Sequence, residues 1–210
     1  SAGKNNNGVY KKINPEFASY ISAFTTGYVS TGTTIKLKLS NEFANTTQLN
    51  TPLKESYFTF EPSIEGETIW KDGQTLEFKP KERLPAGQTY KATFHLNNLV
   101  EVKKELAEFE FQFETIKQSA QLVVNEVKSY HSNDYDLYSL TGNISTADFA
   151  DAETIEKMLV SKLNATNLKP KWQHNDKGNL HKFLIDSIER NDNSAANFYC
   201  LCGITDPGYL

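Results

Sequence analysis

The first half of the chain alternates apolar and polar side chains with a period of two residues. The clearest runs are residues 34–39 (Thr-Ile-Lys-Leu-Lys-Leu), 90–96 (Tyr-Lys-Ala-Thr-Phe-His-Leu) and 108–114 (Glu-Phe-Glu-Phe-Gln-Phe-Glu). Successive side chains of a strand point to opposite faces of a sheet, so each run has one apolar and one polar face. The pattern therefore predicts half-buried β-strands around an apolar interior.

Seven short strands are predicted in this half, separated by residues typical of turns. They cover residues 17–24, 33–40, 57–61, 67–71, 75–79, 89–96 and 108–115. This number of short strands is typical of an immunoglobulin-like β-sandwich. By parity along the strands, the side chains expected to face the interior are Ile35, Leu37, Leu39, Tyr90, Ala92, Phe94, Leu96, Phe109, Phe111 and Phe113.

One turn in this half has a specific chemical signature. Asp72-Gly73 predicts a two-residue hairpin of type I′, which needs positive φ at both positions. A two-residue loop places Ile69 opposite Leu76, whereas a three-residue loop places Trp70 opposite Leu76. Both registers are compatible with the sequence.

The alternation pauses near residues 116–119 and then resumes, which predicts a domain boundary after residue 117. Residues 1–12 are small and polar and are expected to form a flexible tether, followed by modules at 13–117 and 118–210. The second module is expected to be incomplete at its C-terminus and to hold strands at 121–130, 136–146, 169–174, 180–188 and 197–202. A helix is expected within 151–163, because Ile155, Met158, Leu159 and Leu163 recur at helical spacing and Asp151 can cap its start.

Composition narrows the class of protein. With 210 residues, 38% of them hydrophobic, the chain can bury sizeable cores and is not of the disordered class. The net charge of −4 and the absence of any run of five Lys or Arg argue against a nucleic-acid partner. No apolar stretch of about 18 residues occurs, so the sequence predicts no membrane-spanning helix.

Residues capable of covalent or metal chemistry are few. Cys200 and Cys202 are the only cysteines. On an extended strand both would point to one face, where a bridge between them would be strained, and two thiols do not complete a zinc site. They are interpreted as small buried hydrophobes or free thiols. No nucleophile elbow, HExxH, P-loop or dinucleotide-binding glycine motif occurs, so we assign no catalytic, cofactor-binding or metal-ligating residue and expect no cofactor.

The four histidines are His95, His131, His174 and His181. His95 falls on the outward row of its strand and is expected on the surface. His174 and His181 flank a turn and could approach each other across a hairpin. A metal ion there is disfavoured, because only Asp176 is placed to add a carboxylate and that residue is better explained as initiating the turn.

Two further sets of residues could suggest a binding site, and each has a structural explanation. The acidic loops 133–136 and 148–151 could suggest calcium, but the ordered oxygen ligands of an EF-hand are absent and turn formation or helix capping explains them better. Aromatic side chains could stack on sugar rings, although aromatics scattered along strands are more often in the core or half buried. These are Tyr10, Tyr20, Tyr28, Tyr57, Tyr130, Tyr135, Tyr138 and Trp172.

An ordered series of motifs in the first half resembles a known bacterial module. Residues 60–66 read Phe-Glu-Pro-Ser-Ile-Glu-Gly, residues 70–80 read Trp-Lys-Asp-Gly-Gln-Thr-Leu-Glu-Phe-Lys-Pro, and residues 84–90 read Leu-Pro-Ala-Gly-Gln-Thr-Tyr. Together with residues 13–30, this order is similar to the Ig-like domain near the N-terminus of bacterial alpha-2-macroglobulins, especially the lipid-anchored ones of Bacteroides-type organisms. Residues 138–148, 155–157 and 172–174 resemble the module that follows it there.

The resemblance implies two tandem immunoglobulin-like or macroglobulin-like β-sandwiches that act as a non-catalytic stalk or scaffold. Full-length members of that family are similar to the protease inhibitors of blood, in which a cut in a bait region makes the molecule collapse around the protease and a thioester often links to it. This chain has no Cys-Gly-Glu-Gln thioester motif, since residues 202–205 read Cys-Gly-Ile-Thr, and no identifiable bait region. No trapping residue can therefore be carried over.

The expected partners are downstream domains of a longer chain and, through them, target proteases. The expected location is the periplasm or the cell surface, with a lipid anchor upstream of Ser1. The alternative is a cell-surface adhesin or glycan-binding module on the same fold, because a fold does not determine a function.

Overall fold

The computed structural model describes residues 13–44, 48–133, 135–163, 166–189 and 196–200, the last five as backbone alone. The chain is mainly β, with immunoglobulin-like β-sandwich architecture and one short α-helix, which confirms the predicted fold class. It forms two compact units. The first comprises the chain up to Gly27, Thr33–Arg83 and Thr89–Phe113, and the second comprises Tyr28–Gly32, Leu84–Gln88 and the chain from Glu114.

The first eight strands form two four-stranded sheets. They are β1 (Ile21–Phe24), β2 (Gly27–Val29), β3 (Ile35–Leu39), β4 (Phe58–Glu61), β5 (Gly66–Trp70), β6 (Thr75–Pro80), β7 (Thr89–His95) and β8 (Glu108–Thr115). One sheet has the order β1-β3-β6-β5 and the other β2-β8-β7-β4. The predicted strands at 33–40, 57–61, 67–71, 75–79, 89–96 and 108–115 agree with β3 to β8 within two residues at each end.

Aromatic rings join the two sheets of the first unit. Phe24 of β1 packs against Phe109 and Phe111 of β8, with ring centroids 5.0 and 5.5 Å apart. Phe60 of β4 packs against Phe78 of β6 at 4.6 Å. All ten side chains that parity assigned to the interior are buried. The alternation of apolar and polar residues thus becomes the core of a sandwich.

The beginning of the first unit differs from the prediction. The strand expected at 17–24 is replaced over its first part by a 3₁₀ turn at Pro15–Ser19, and β1 starts at Ile21. The side chain of Asn14 accepts a hydrogen bond from the backbone N–H of Glu16, and Pro15 suits the first position of a helical turn because it has no N–H to leave unpaired. The unpredicted β2 has mostly exposed side chains and therefore no apolar alternation.

The hairpin between β5 and β6 has the longer of the two loops considered. Trp70 lies opposite Leu76, and the backbone N–H of Lys71 donates to the carbonyl of Thr75, so the loop holds three residues. The Asp72 carboxylate accepts hydrogen bonds from the backbone N–H groups of Gln74 and Thr75, at 2.9 and 2.7 Å. Gly73 does not have a positive φ. The predicted type I′ turn is therefore wrong, because the side chain of Asp72 closes the loop in another way.

The second unit contains two further sheets and the helix. Its elements are β9 (Ala120–Ser132), β10 (Tyr135–Thr146), α1 (Ala152–Met158), β11 (Leu159–Leu163), β12 (Thr166–Asn167), β13 (Lys171–His174), β14 (Leu180–Glu189) and β15 (Ala196–Cys200). The sheet orders are β13-β14-β10-β9 and β12-β11-β15. The buried apolar core is built from Leu140, Ile144, Ala150, Ile155, Leu159, Phe183, Ile185 and Ile188.

The helix is shorter than its apolar spacing predicts. Asp151 caps it as expected, accepting a hydrogen bond from the backbone N–H of Thr154. The helix ends at Met158, and Leu159 has the extended dihedrals φ −88° and ψ 113°. From there Leu159 and Ser161 are buried alternately while the backbone pairs with β15, so sheet pairing overrides helical propensity. In the described residues no helix is long and apolar enough to cross a membrane.

We predict that Gly66→Ala destabilises the first unit. A Cβ at Gly66 would collide with the Lys79 carbonyl oxygen and the Phe78 ring. Overpacking of this kind costs about 1–3 kcal/mol in the free energy of unfolding, measurable by denaturant titration.

Gly73→Ala in the adjoining loop is the matched control. The nearest atoms to a Cβ there are 3.5 Å away, an ordinary contact, so we expect a change within about 0.5 kcal/mol. Equal losses in both variants would contradict the proposed collision.

Candidate functional site

Two clusters of polar side chains stand out in the second unit, one around Asp148 and one around His174 and His181. Asp148 and His181 are both buried. Buried ionisable groups need hydrogen-bond partners, and they are also the groups most often used for chemistry.

Asp148 is held by the segment at residues 28–32, far away in the sequence. One carboxylate oxygen accepts a hydrogen bond from the Ser30 hydroxyl at 2.7 Å. The other accepts from the backbone N–H and the hydroxyl of Thr31, at 2.7 and 2.9 Å. Three donors on one carboxylate satisfy most of its acceptor capacity.

The backbone around Asp148 is fixed as well. The Gln118 amide donates to the carbonyls of Asp148 and Phe149 and accepts from the backbone N–H of Asp148. The Thr146 hydroxyl also donates to the Asp148 carbonyl, at 2.6 Å. These bonds hold the loop between β10 and α1 in one conformation.

The environment of Asp148 favours its charged form. Burial alone raises the pKa of a carboxyl group, but hydrogen bonds from Ser30, Thr31 and the backbone of Phe149 outweigh it and hold the pKa of Asp148 below its ordinary value. A carboxylate so occupied is a structural acceptor. In the loop at 148–151, Asp148 accepts hydrogen bonds and Asp151 caps the helix. The capping by Asp151 agrees with the explanation that the sequence favours over calcium binding.

The histidine pair is brought together by a hairpin, as predicted. His174 of β13 lies directly opposite His181 of β14, and their Nδ1 atoms are 2.8 Å apart. The Nε2 atom of His174 lies 2.9 Å from a carboxylate oxygen of Glu156 on α1. A chain of two hydrogen bonds therefore runs from Glu156 through His174 to the buried ring of His181.

The hydrogen bond to Glu156 determines which ring nitrogens of His174 and His181 carry a proton. A carboxylate can only accept, so His174 donates from Nε2 to Glu156. When His174 is neutral, its Nδ1 must then accept, and His181 donates from its own Nδ1. The Nε2 of His181 consequently carries no proton, and it has no hydrogen-bond partner among the described residues.

His181 is held in its neutral form. Burial lowers the pKa of His181, the neighbouring His174 lowers it further, and the carbonyl of Gly178 opposes them only in part. Trp172 stacks on the His174 ring, with centroids 5.8 Å apart, and packs against Phe183 at 5.4 Å. The two hydrogen bonds of the pair join β13, β14 and α1.

The structure places the remaining candidates differently from the histidine pair. His95 is half buried, with its ring 3.2 Å from the Thr59 hydroxyl and 3.4 Å from Glu108, so its expected exposure is only partial. The hairpin turn is initiated by Asn175, whose side-chain oxygen accepts from two backbone N–H groups, and the assignment of that role to Asp176 is wrong. Within the described part of the chain, no group of three or more His, Cys, Asp or Glu is arranged to hold a metal ion.

The acidic loop at 133–136 and the cysteines are described only in part. The Asp136 carboxylate lies 3.2 Å from Nδ1 of His131, while Asp134 lies outside the described residues. Cys200 contributes backbone to β15, but its side chain and all of Cys202 also lie outside them.

The aromatic side chains considered for sugar stacking differ in exposure. Tyr28 and Tyr130 are exposed, Tyr57 is buried, and Tyr20, Tyr138 and Trp172 are intermediate. The predicted residue Tyr10 and the side chain of Tyr135 lie outside the described residues. Trp172, the largest of the set, has ring contacts with His174 and Phe183.

Comparison with known proteins adds little on activity. No protein-family model and no curated protein matches the chain. One similar solved structure is L,D-transpeptidase 3 from Mycobacterium tuberculosis in complex with a faropenem-derived adduct, with 11% identity and a TM-score of 0.34 over 59% of this chain and 46% of that one. Another is an L,D-transpeptidase from Mycobacterium tuberculosis H37Rv, with 12% identity and a TM-score of 0.33 over 58% and 47%. This chain thus spans less than half the length of either structure, and the likeness implies no activity.

We predict that Asp148→Ala lowers the free energy of unfolding by about 2–4 kcal/mol, because two buried donors of Thr31 and one half-buried donor of Ser30 lose a charged acceptor. Asp148→Asn keeps one acceptor oxygen, which can still accept from Thr31, and should cost less. Asp151→Ala, which removes only a helix cap, should cost about 1 kcal/mol and serves as the matched control. Denaturant titration of the three variants measures these differences; an Asp148→Ala loss no larger than that of the control would contradict the assignment.

We also predict that the free energy of unfolding falls as the pH drops below about 6.5. The unfolded chain protonates His181 near its ordinary pKa of about 6.5, whereas the folded chain resists that protonation, so stability is fully present above this pH and is lost below it. His181→Gln should weaken this pH dependence in denaturant titrations. His131→Gln, which replaces a histidine with 66% of its side chain exposed, should keep the wild-type dependence. An unchanged slope in His181→Gln would contradict the prediction.

Proposed function

We propose that this chain forms the non-catalytic N-terminal scaffold of a bacterial alpha-2-macroglobulin-like protease-trapping protein. Its partners are the downstream domains of the same longer polypeptide and, through them, the proteases that are trapped. The protein acts in the periplasm or at the cell surface, where a lipid anchor upstream of Ser1 holds it.

The proposal rests on where the fold places the residues of the motifs that resemble the bacterial Ig-like module. Phe60 and Ile64 of these motifs are half buried, and five further apolar positions are buried in the described structure with 6% or less of their surface exposed: Trp70, Leu76, Phe78, Leu84 and Tyr90. Their polar positions make turns, as Asp72 does with its two backbone hydrogen bonds. A motif whose residues go into the core and the turns specifies a fold, which supports a scaffold role.

The two polar clusters support the same role. Asp148 accepts three hydrogen bonds, and the His174 ring lies between Glu156 and His181, so these side chains are engaged with each other. The hydrogen-bond partners described for the His174 and His181 side chains are each other and Glu156, whereas an activated nucleophile needs a hydroxyl or thiol beside the histidine. Their contacts are those of groups that hold a loop and a hairpin.

The proposal is tested by comparing the product of the complete reading frame with the chain alone. Each endopeptidase of a panel is expected to cut the complete protein once and to become trapped by it. The trapped protease should then cleave small peptides but no longer cleave large substrates. The chain of 210 residues should neither inhibit the proteases nor hydrolyse peptides.

Three results would overturn the proposal. The first is a reading frame without further domains, and the second is hydrolysis or protease inhibition by the chain itself. The third is saturable binding on a glycan array that is lost in Trp172→Ala, which would support the adhesin alternative. His131→Gln, also in the second unit, is the control for that last variant.

A further inference from the structure

The strand β9 is an open edge of its sheet. It stands at the end of the order β13-β14-β10-β9, and β10 is its only strand partner in the described part of the chain. At thirteen residues it is about twice the length of an average strand. Alternate residues of such an edge direct backbone N–H and C=O groups away from the sheet, which offers a row of hydrogen bonds to an incoming strand.

Apolar side chains are concentrated on this edge. Of the eight large hydrophobic side chains that are exposed in the described residues, four lie on β9: Val123, Val124, Val127 and Tyr130. Val127 is the most exposed of them, at 57%, although it lies opposite Leu140 and thus on the face of the sheet that carries the core. A long, apolar and open edge strand favours pairing with another strand.

The charges on β9 indicate which strand fits. Glu126 and Lys128 flank Val127, and their side chains lie on one face of the strand, with Nζ and Oε2 3.0 Å apart. If a second β9 runs antiparallel with Val127 opposite its own copy, each Glu126 faces a Lys128. Opposite charges directly across a ladder stabilise it, and like charges destabilise it.

Symmetry leaves few other registers. Directly opposite residues of an antiparallel ladder share a face, so two identical strands related by a two-fold axis must place some residue opposite its own copy. Centring the pair on Glu126 or on Lys128 puts like charges together. Among these neighbouring registers, only the one centred on Val127 pairs opposite charges.

A bulge in β9 limits how far regular pairing extends from Val127. Glu126 lies opposite Thr141 and Val124 opposite Gly142, so Asn125 is an extra residue on β9. Bulges interrupt regular pairing, so the symmetric pair centred on Val127 is regular over Glu126, Val127 and Lys128.

We propose that β9 is a self-association surface, on which two copies of this chain pair antiparallel with Val127 on the two-fold axis. The surface is separate from both polar clusters described above and does not depend on the proposed scaffold function. Its partner is a second copy of the chain, since the charge pattern of β9 is complementary to itself.

A charge exchange tests the register. Glu126→Lys and Lys128→Glu should each weaken dimerisation about tenfold or more, because two attractive pairs become repulsive. Mixing the two variants should restore association, since every Lys of one copy then faces a Glu of the other. The double variant Glu126→Lys/Lys128→Glu should dimerise like the wild type. Sedimentation velocity over a concentration series measures all four samples.

The controls are Glu65→Lys and Lys81→Glu, which make the same charge changes at an exposed ion pair on the first unit and should leave dimerisation unchanged. A wild-type chain that stays monomeric over the series would overturn the proposal and leave Glu126 and Lys128 as charges that protect an edge. A dimer that is insensitive to both single variants, or variants that do not associate when mixed, would overturn the assignment to β9.

Discussion

The first unit depends on burying a row of aromatic and aliphatic side chains between its two sheets. Each aromatic ring removes about 150–250 Å² from water, and the contacts of Phe24 with β8 and of Phe60 with β6 join one sheet to the other. Because side chains alternate between the faces, a shift of one residue in any strand would turn this row outward. The register of every strand in the sandwich is therefore constrained by the same interior.

The hairpin at Asp72 shows how this constraint decides local structure. The short loop favoured by Asp-Gly would have placed Trp70 opposite Thr75, whereas the observed loop places it opposite Leu76, where both side chains are buried. Packing of the indole outweighs the preference of two residues for a turn type. Asp72 then closes the longer loop with its carboxylate, and the pKa of that carboxyl is lowered first of all by the hydrogen bond from the Gln74 backbone.

The sequence predicts those features that rest on local pattern. Strands β3, β7 and β8 follow directly from period-two alternation, and His174 and His181 meet because a short hairpin joins them. The strand β11 was not predicted, because Leu159 and Leu163 also fit a helical repeat and only pairing with β15 decides between them. The pairing of Glu156 with His174 does not follow from the sequence, because local residue spacing does not determine where a helix packs on a sheet.

The partners of Asp148 were beyond local prediction for a similar reason, and their separation has a consequence for synthesis. Thr31 precedes Asp148 by 117 residues, and chains are made at about 5–20 residues per second, so about 6–23 s pass between the two. A contact of such high sequence separation forms late, because the entropy cost of closing a long loop comes before the stabilising hydrogen bonds. The second unit therefore cannot finish folding from newly made residues alone, since it also needs a segment that left the ribosome many seconds earlier.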